Sequence, residues 1–285
     1  MSEKRLQAQC LCGQIAWRIN TPPTPFAHCH CSVCRKSHGS AFATYMAAEN
    51  DALEWLAGED QVTTYESSDG FKRRFCRSCG SVVPGLAADG HVFAPPGGVA
   101  DDPGTLAKIH IFVASKAPWF AITDELRQFD VFPKGDGPTD ITAGTHEMAS
   151  SAPHGSCMCG DVCFELTGPV TAARYCHCSR CRRGRSATHA ANAFTDRQSV
   201  RFLKGGDKIR EFKLPEARFF TQAFCERCGS IMPRIDPERG VAVIPFGAFD
   251  GDPGIRPSEH IFVDSKCPWH TISDHLPQHE AGPSG

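Results

Sequence analysis

Sixteen of the 285 residues are cysteine, and fourteen of these fall into clusters that occur twice. A C-x-C pair (Cys10, Cys12) is followed by C-x-C-x-x-C (Cys29, Cys31, Cys34) and C-x-x-C-G (Cys76, Cys79). The same series returns as Cys157, Cys159, then Cys176, Cys178, Cys181, then Cys225, Cys228. Thiolates are soft ligands that suit zinc. A closed structural zinc takes four of them, whereas a reactive zinc keeps three protein ligands and one open position. Seven thiols per half divide naturally into four and three. Cysteines one residue apart on a strand share a face, and C-x-x-C-G resembles a zinc knuckle whose glycine permits the tight turn. The pair and the knuckle therefore make a four-sulfur site that staples an early strand to a late one.

The central triplet then lacks a fourth sulfur. Three thiolates would leave zinc with a net charge of about −1, a poor activator of water but a suitable seat for the thiolate of a substrate. Thiol chemistry is the expectation. Two alternatives stay open from the residues alone. A histidine could close the triplet, although Tyr175 stands where the first half has His28, and His30 and His177 point away from their flanking cysteines. An iron–sulfur cluster is the other, and its motifs usually add a further cysteine followed by proline. Cys163 and Cys267 have no counterpart in the first half and read as packed side chains.

The elements that must position these thiols also repeat. QCLCGQIAWRI returns as SCMCGDVCFEL, and HIFVASKAPWFAITDEL as HIFVDSKCPWHTISDHL. The offset drifts from 147 (Cys10 to Cys157) to 150 (His110 to His260), so only small loop insertions separate the copies. One unit is used twice: 5–133 and 154–278, joined by a Gly, Pro, Ser and Thr-rich linker at 134–153. Ile15, Trp17, Ile19 and Val162, Phe164, Leu166 alternate as on the buried face of a strand. Glycine and proline punctuate the later segments, so the class is mostly β. AENDALEWLAG (48–58) fits either a short helical turn or a strand with a loop.

Composition narrows the remaining classes. A formal net charge of −2 with 22% charged and 41% hydrophobic residues describes a soluble globular protein rather than a basic nucleic-acid binder. No apolar run approaches the ~20 residues of a membrane span, and MSEKRLQAQC is no secretory leader. A reducing, cytoplasmic setting follows, in which clustered cysteines serve metals rather than disulfides. The halves differ in charge, with 13 basic against 17 acidic residues in 1–150 and 17 against 15 in the remainder. Arg180, Arg182, Arg183 and Arg185 surround the last cysteine of the second triplet, and Arg182 is a candidate for substrate carboxylates. Lys116 with Trp119, and Lys266 with Trp269, are candidates for the same task, against the plainer reading that each tryptophan merely packs.

These ordered motifs, C-x-C-G, C-H-C-x-x-C-R, C-x-x-C-G and HIFV-x-SK-x-PW, resemble the glutathione-dependent formaldehyde-activating family, which includes centromere protein V. The resemblance covers 6–133 and 154–277. It implies a zinc-binding β-tent of folded antiparallel sheets in each half, two zinc ions per domain and four per chain. It also implies carbon–sulfur lyase or synthase chemistry that joins a small thiol such as glutathione to formaldehyde. Cys10, Cys12, Cys76, Cys79 and Cys157, Cys159, Cys225, Cys228 would then be structural ligands. Cys29, Cys31, Cys34 and Cys176, Cys178, Cys181 would be catalytic ones. The first half continues CRKSHGSAFATYMA, similar to the glutathione-using pattern, whereas the second lacks GSAF. A non-catalytic, zinc-stabilised scaffold is the competing reading.

Overall fold

The structure is a computed structural model that describes residues 5–22, 24–87, 89–99, 102–133 and 152–282, so most of the expected linker lies outside the described residues. In the first repeat, strands Leu6–Gln9 and Ala16–Ile19 form an antiparallel hairpin extended by Leu53–Ala57. Ile15, Trp17 and Ile19 are buried on one face, as their alternation predicts. The ambiguous 48–58 segment resolves into the end of strand Ala43–Glu49, a 3-10 turn at Asn50–Ala52 and strand Leu53–Ala57. A second sheet of eight strands places Phe26–Cys29 between Ala107–Ile111, to which it is parallel, and Ala43–Glu49, to which it is antiparallel.

The second repeat copies the three-stranded sheet as His154–Ser156, Cys163–Leu166 and Val200–Lys204. Its larger sheet has six strands, because hairpin Ile209–Lys213/Thr221–Cys225 has separated from it and retains one bridge, Phe224 to Ile231. The segment that holds this hairpin is two residues longer than its counterpart, as the change of offset from 147 (Cys34 to Cys181) to 149 (Cys76 to Cys225) requires. The fold is mostly β, with several antiparallel sheets.

Two short helices go beyond what the sequence pattern predicts. α1 (Ser32–His38) and α2 (Ser179–Arg185) each begin directly after the second cysteine of a triplet. Cys31 and Cys178 act as the N-caps, their sulfurs accepting from the backbone N–H groups of Cys34 and Cys181. Basic residues crowd the last turn of each helix, where the helix dipole favours them.

The two repeats interlock rather than stand apart. One buried cluster joins Val33, Phe42 and Trp119 of the first to Phe164, Ile244 and Phe246 of the second. Trp119 packs on Phe246 at 4.8 Å, and Trp269 packs edge-on against Phe26 at 5.6 Å. Each tail thus delivers its tryptophan to the opposite repeat. The knuckle glycines are reciprocal as well. A Cβ on Gly80 would lie 2.5 Å from the Phe224 ring, and one on Gly229 would lie 2.6 Å from Phe75.

Each helix also reaches the cysteine turn of the other repeat. Lys36 donates to Ser156 O at 2.6 Å and Ser156 Oγ at 2.9 Å, and it pairs with Asp250; both charged side chains are almost fully buried. Arg183, its equivalent, donates to Cys10 O at 2.8 Å. Lys36→Met would strand the Asp250 carboxylate inside the interface, and removing one partner of a buried pair costs about 3–5 kcal/mol. Chemical denaturation should show that loss, while Lys108→Met on the surface should show almost none.

Candidate metal centres

Four groups of thiols meet the geometric demand of a metal. Within each, all sulfurs lie within 4.8 Å of one another. Two sulfurs bound tetrahedrally to zinc at about 2.3 Å stand about 3.8 Å apart. The observed separations are 3.4 Å for Cys10–Cys12, 3.7 Å for Cys12–Cys76 and 3.6 Å for Cys29–Cys31. All sixteen cysteines are free thiols. The donor sets therefore fit zinc.

The four-sulfur groups are Cys10, Cys12, Cys76, Cys79 and Cys157, Cys159, Cys225, Cys228. The C-x-C pairs do not lie within strands, contrary to the strand-face argument. Cys10 and Cys12 occupy the turn after Leu6–Gln9, folded by a Gly13 N–H bond to Cys10 O and by Gly13 at φ +77°, a conformation that glycine adopts without strain. A turn aims both sulfurs inward as a strand face would. On the knuckle side, Gly80 N donates to Cys76 O at 2.8 Å. Ser81 Oγ ties the loops together: it accepts from Leu11 N at 3.1 Å and lies 3.3 Å from Cys79 Sγ. Its own proton is free to point at that sulfur. Met158, Ser230 and Cys228 repeat this arrangement. Hydrogen bonds from Cys10, Cys12 and Cys76 hold Cys79 well below the usual thiol range, while the same contacts push Cys76 up, so the four sulfurs titrate as one coupled set.

The three-sulfur groups are Cys29, Cys31, Cys34 and Cys176, Cys178, Cys181. Among the described residues no histidine or carboxylate joins either set. His30 is turned away into a relay. Asp124 takes the Nε2 proton of His110 at 3.0 Å, so His110 Nδ1 accepts from His30 Nε2 at 2.8 Å; the bond at one ring nitrogen sets the role of the other. Burial lowers His30 to about 3, and its Nδ1 has no partner among the described residues. Asp274, His260 and His177 repeat the relay. His28 bonds Thr44 at 2.9 Å. Hydrogen bonds from Cys29 and Cys31 bring Cys34 well below its usual value, and those from Cys176 and Cys181 bring Cys178 to about 3.

The first triplet opens into a cavity of about 250 Å³ walled by Phe71, Phe93, Ile109, Ile111, Phe112 and Phe132. Arg73 and Tyr45, which sequence reading passed over, line it too. The buried Arg73 guanidinium lies 3.6 Å from Cys34 Sγ and 3.5 Å from Tyr45 OH. His38 donates from Nδ1 to Arg185 O and accepts the Tyr45 proton at Nε2, both at 2.7 Å, the tautomer that the carbonyl demands. The thiol triplet keeps Arg73 above its ordinary value despite the penalty of burial. In the second repeat these three positions carry Arg185, Asn192 and Gln222, so the guanidinium moves from the strand to the helix. No local motif signals this group; only the folding of the large sheet onto α1 brings Arg73 to Cys34.

The remaining candidates lie elsewhere. Lys116 donates to Phe120 O and Lys266 to His270 O, both at 2.6 Å, which commits each ammonium to its own turn. Trp119 and Trp269 sit in the interface and do not line the thiol cavities. Arg182 is partly buried beside Cys267, with two guanidinium nitrogens unpartnered among the described residues, and it also lies outside the cavity of the second triplet. Cys163 and Cys267 are buried and belong to none of the four groups. No helix is long and apolar enough to cross a membrane among the described residues.

The family model described as glutathione-dependent formaldehyde-activating enzyme matches residues 5–115 and again 152–265. A Halomonas elongata protein, provisionally named a glutathione-dependent formaldehyde-activating enzyme, is 30% identical over 128 residues, spanning 41% of this chain and 80% of that protein. A crystal structure of a Rhodobacter sphaeroides protein aligns at 26% identity over 36% of this chain and 97% of its own, with a TM-score of 0.29.

Proposed function

The chain belongs to the glutathione-dependent formaldehyde-activating enzyme family, and from that premise we propose that it joins a small thiol such as glutathione to formaldehyde or a related aldehyde. The observation that carries this reading is a triplet of thiols with no fourth protein ligand among the described residues, opening into a cavity, in each repeat. Four zinc ions per chain fit the four groups, and sixteen unpaired cysteines suit a cytoplasmic setting. Cys29, Cys31 and Cys34 would hold a zinc ion, which when bound would offer an open position and a soft Lewis acid suited to a substrate thiolate.

The protein's own groups supply the rest. Apolar walls around the first triplet keep water from competing for the aldehyde. The carbon–sulfur bond forms as the carbonyl π pair moves onto oxygen, and the proton shed by the thiol ends on that oxygen as a hydroxymethyl group. Arg73, already charged and fixed by Ser67, Tyr45 and Cys34, offsets the negative charge that collects during the step. Arg73→Gln writes in the residue that the second repeat carries at 222. In a chain whose second triplet is disabled by Cys178→Ser, that change should lower kcat by about 10²–10³ with little change in KM, as for removal of one oxyanion donor.

Cobalt substitution tests the reading. With Co²⁺ in place of zinc, adding glutathione should intensify the sulfur-to-cobalt charge-transfer bands. A spectrum unchanged by any thiol would remove the proposal and leave a zinc-stabilised scaffold.

A further inference from the structure

The two triplets face different surroundings, and we propose that the second repeat takes a thiol bearing at least two negative charges, whereas the first, despite the GSAF run that resembles the glutathione-using pattern, takes an uncharged one. This rests on the reading that the triplets receive substrate thiols. The second cavity, about 360 Å³, contains Arg174, Arg180, Arg185, Arg218, Arg234 and Arg239 around Cys176, Cys178 and Cys181. Glu259 pairs with Arg174, and Asp236 with both Arg234 and Arg239. Arg180, Arg185 and Arg218 have no carboxylate partner among the described residues. The first cavity has one arginine, Arg73, and it is committed to Ser67, Tyr45 and Cys34.

The basic cavity is a built feature. It opens where the longer hairpin Ile209–Lys213/Thr221–Cys225 has left the sheet, and residues from both sides of that break line it. Arg218 and Arg239 lie over the Phe219 ring at 4.7 and 4.6 Å, so one aromatic side chain of the cavity wall carries two guanidinium groups. Anionic oxygens in this cavity would accept planar, paired hydrogen bonds from Arg180, Arg185 and Arg218, the arginines that lack a carboxylate among the described residues. Carboxylates and a phosphate ester share this chemistry.

Titration of the full-length Co²⁺ protein with mercaptosuccinate, 2-mercaptoethyl phosphate and benzyl mercaptan, read from the charge-transfer bands, tests the assignment. In Cys31→Ser, which leaves the second triplet intact, both anionic thiols should bind at least about tenfold tighter than benzyl mercaptan, and rising salt should erase the difference. A stronger response to one of them identifies carboxylate or phosphate as the recognised group. In Cys178→Ser the order should reverse. Arg180→Ala with Arg218→Ala, both at exposed positions in an otherwise intact chain, should weaken the anionic thiols about tenfold and leave benzyl mercaptan unchanged. Band changes with equal preference at both triplets would overturn this assignment alone. No band change with any thiol would overturn it together with the proposed function.

Discussion

Cys76→Ser is expected to lose the fold of more than its own repeat. The residue is one of four sulfurs that clip the Cys10–Cys12 turn to the knuckle, and its backbone N–H also bonds Ser81 O at 2.9 Å within that knuckle. A structural zinc contributes about 10–16 kcal/mol in small zinc domains, comparable to the whole stability of a globular protein. Loss of one thiolate forfeits much of it. The Cys10 turn is also where Arg183 of α2 is anchored, and Cys79 O accepts from Gln222 beside the second triplet. Damage at the first closed group therefore reaches the second open one. Circular dichroism and zinc content should show cooperative loss of structure, with fewer than the two zinc ions that a strictly local effect would preserve in the second repeat.

Cys31→Ser should behave in the opposite way. Its sulfur caps α1, and serine is itself a favourable N-cap, so the helix has a substitute acceptor for the Cys34 N–H. The rest of the triplet environment is braced from outside by the His30–His110–Asp124 relay and by Lys36. The expected result is a folded protein whose first triplet holds metal weakly and whose turnover at that site falls by at least about 10³, as when an essential group of a catalytic unit is removed. Near-UV dichroism should match wild type. If activity persists in a chain that carries both Cys31→Ser and Cys178→Ser, the triplets are not where the chemistry occurs.

The contrast between these variants follows the line between what the sequence disclosed and what it concealed. Four-sulfur and three-sulfur groups were legible because their spacing is local and occurs twice, and the alternating Ile15, Trp17, Ile19 face was legible for the same reason. α1 and α2 were not, since seven residues carry too little periodicity and cysteine is an unusual cap. The exchange of Trp119 and Trp269 between repeats was hidden because both appear in one repeated motif, which says nothing about which core receives them. Arg73 was hidden because its importance arises from a helix and a strand distant in the chain meeting at Cys34 and Tyr45. The four arginines of SRCRRGR were visible as a charge excess, yet they serve three ends. Arg183 braces the other repeat, Arg182 lies beside Cys267, and Arg180 and Arg185 line the second cavity.

The central claim is that each repeat holds one zinc saturated by four cysteines and one held by three. X-ray absorption at the zinc edge of the fully loaded protein tests it most directly. The account predicts a mean of between three and four sulfurs per zinc, with the balance made up by oxygen or nitrogen, rising to four when thiol is added. Four sulfurs before any thiol is present, or a lighter ligand that no thiol displaces, would contradict it.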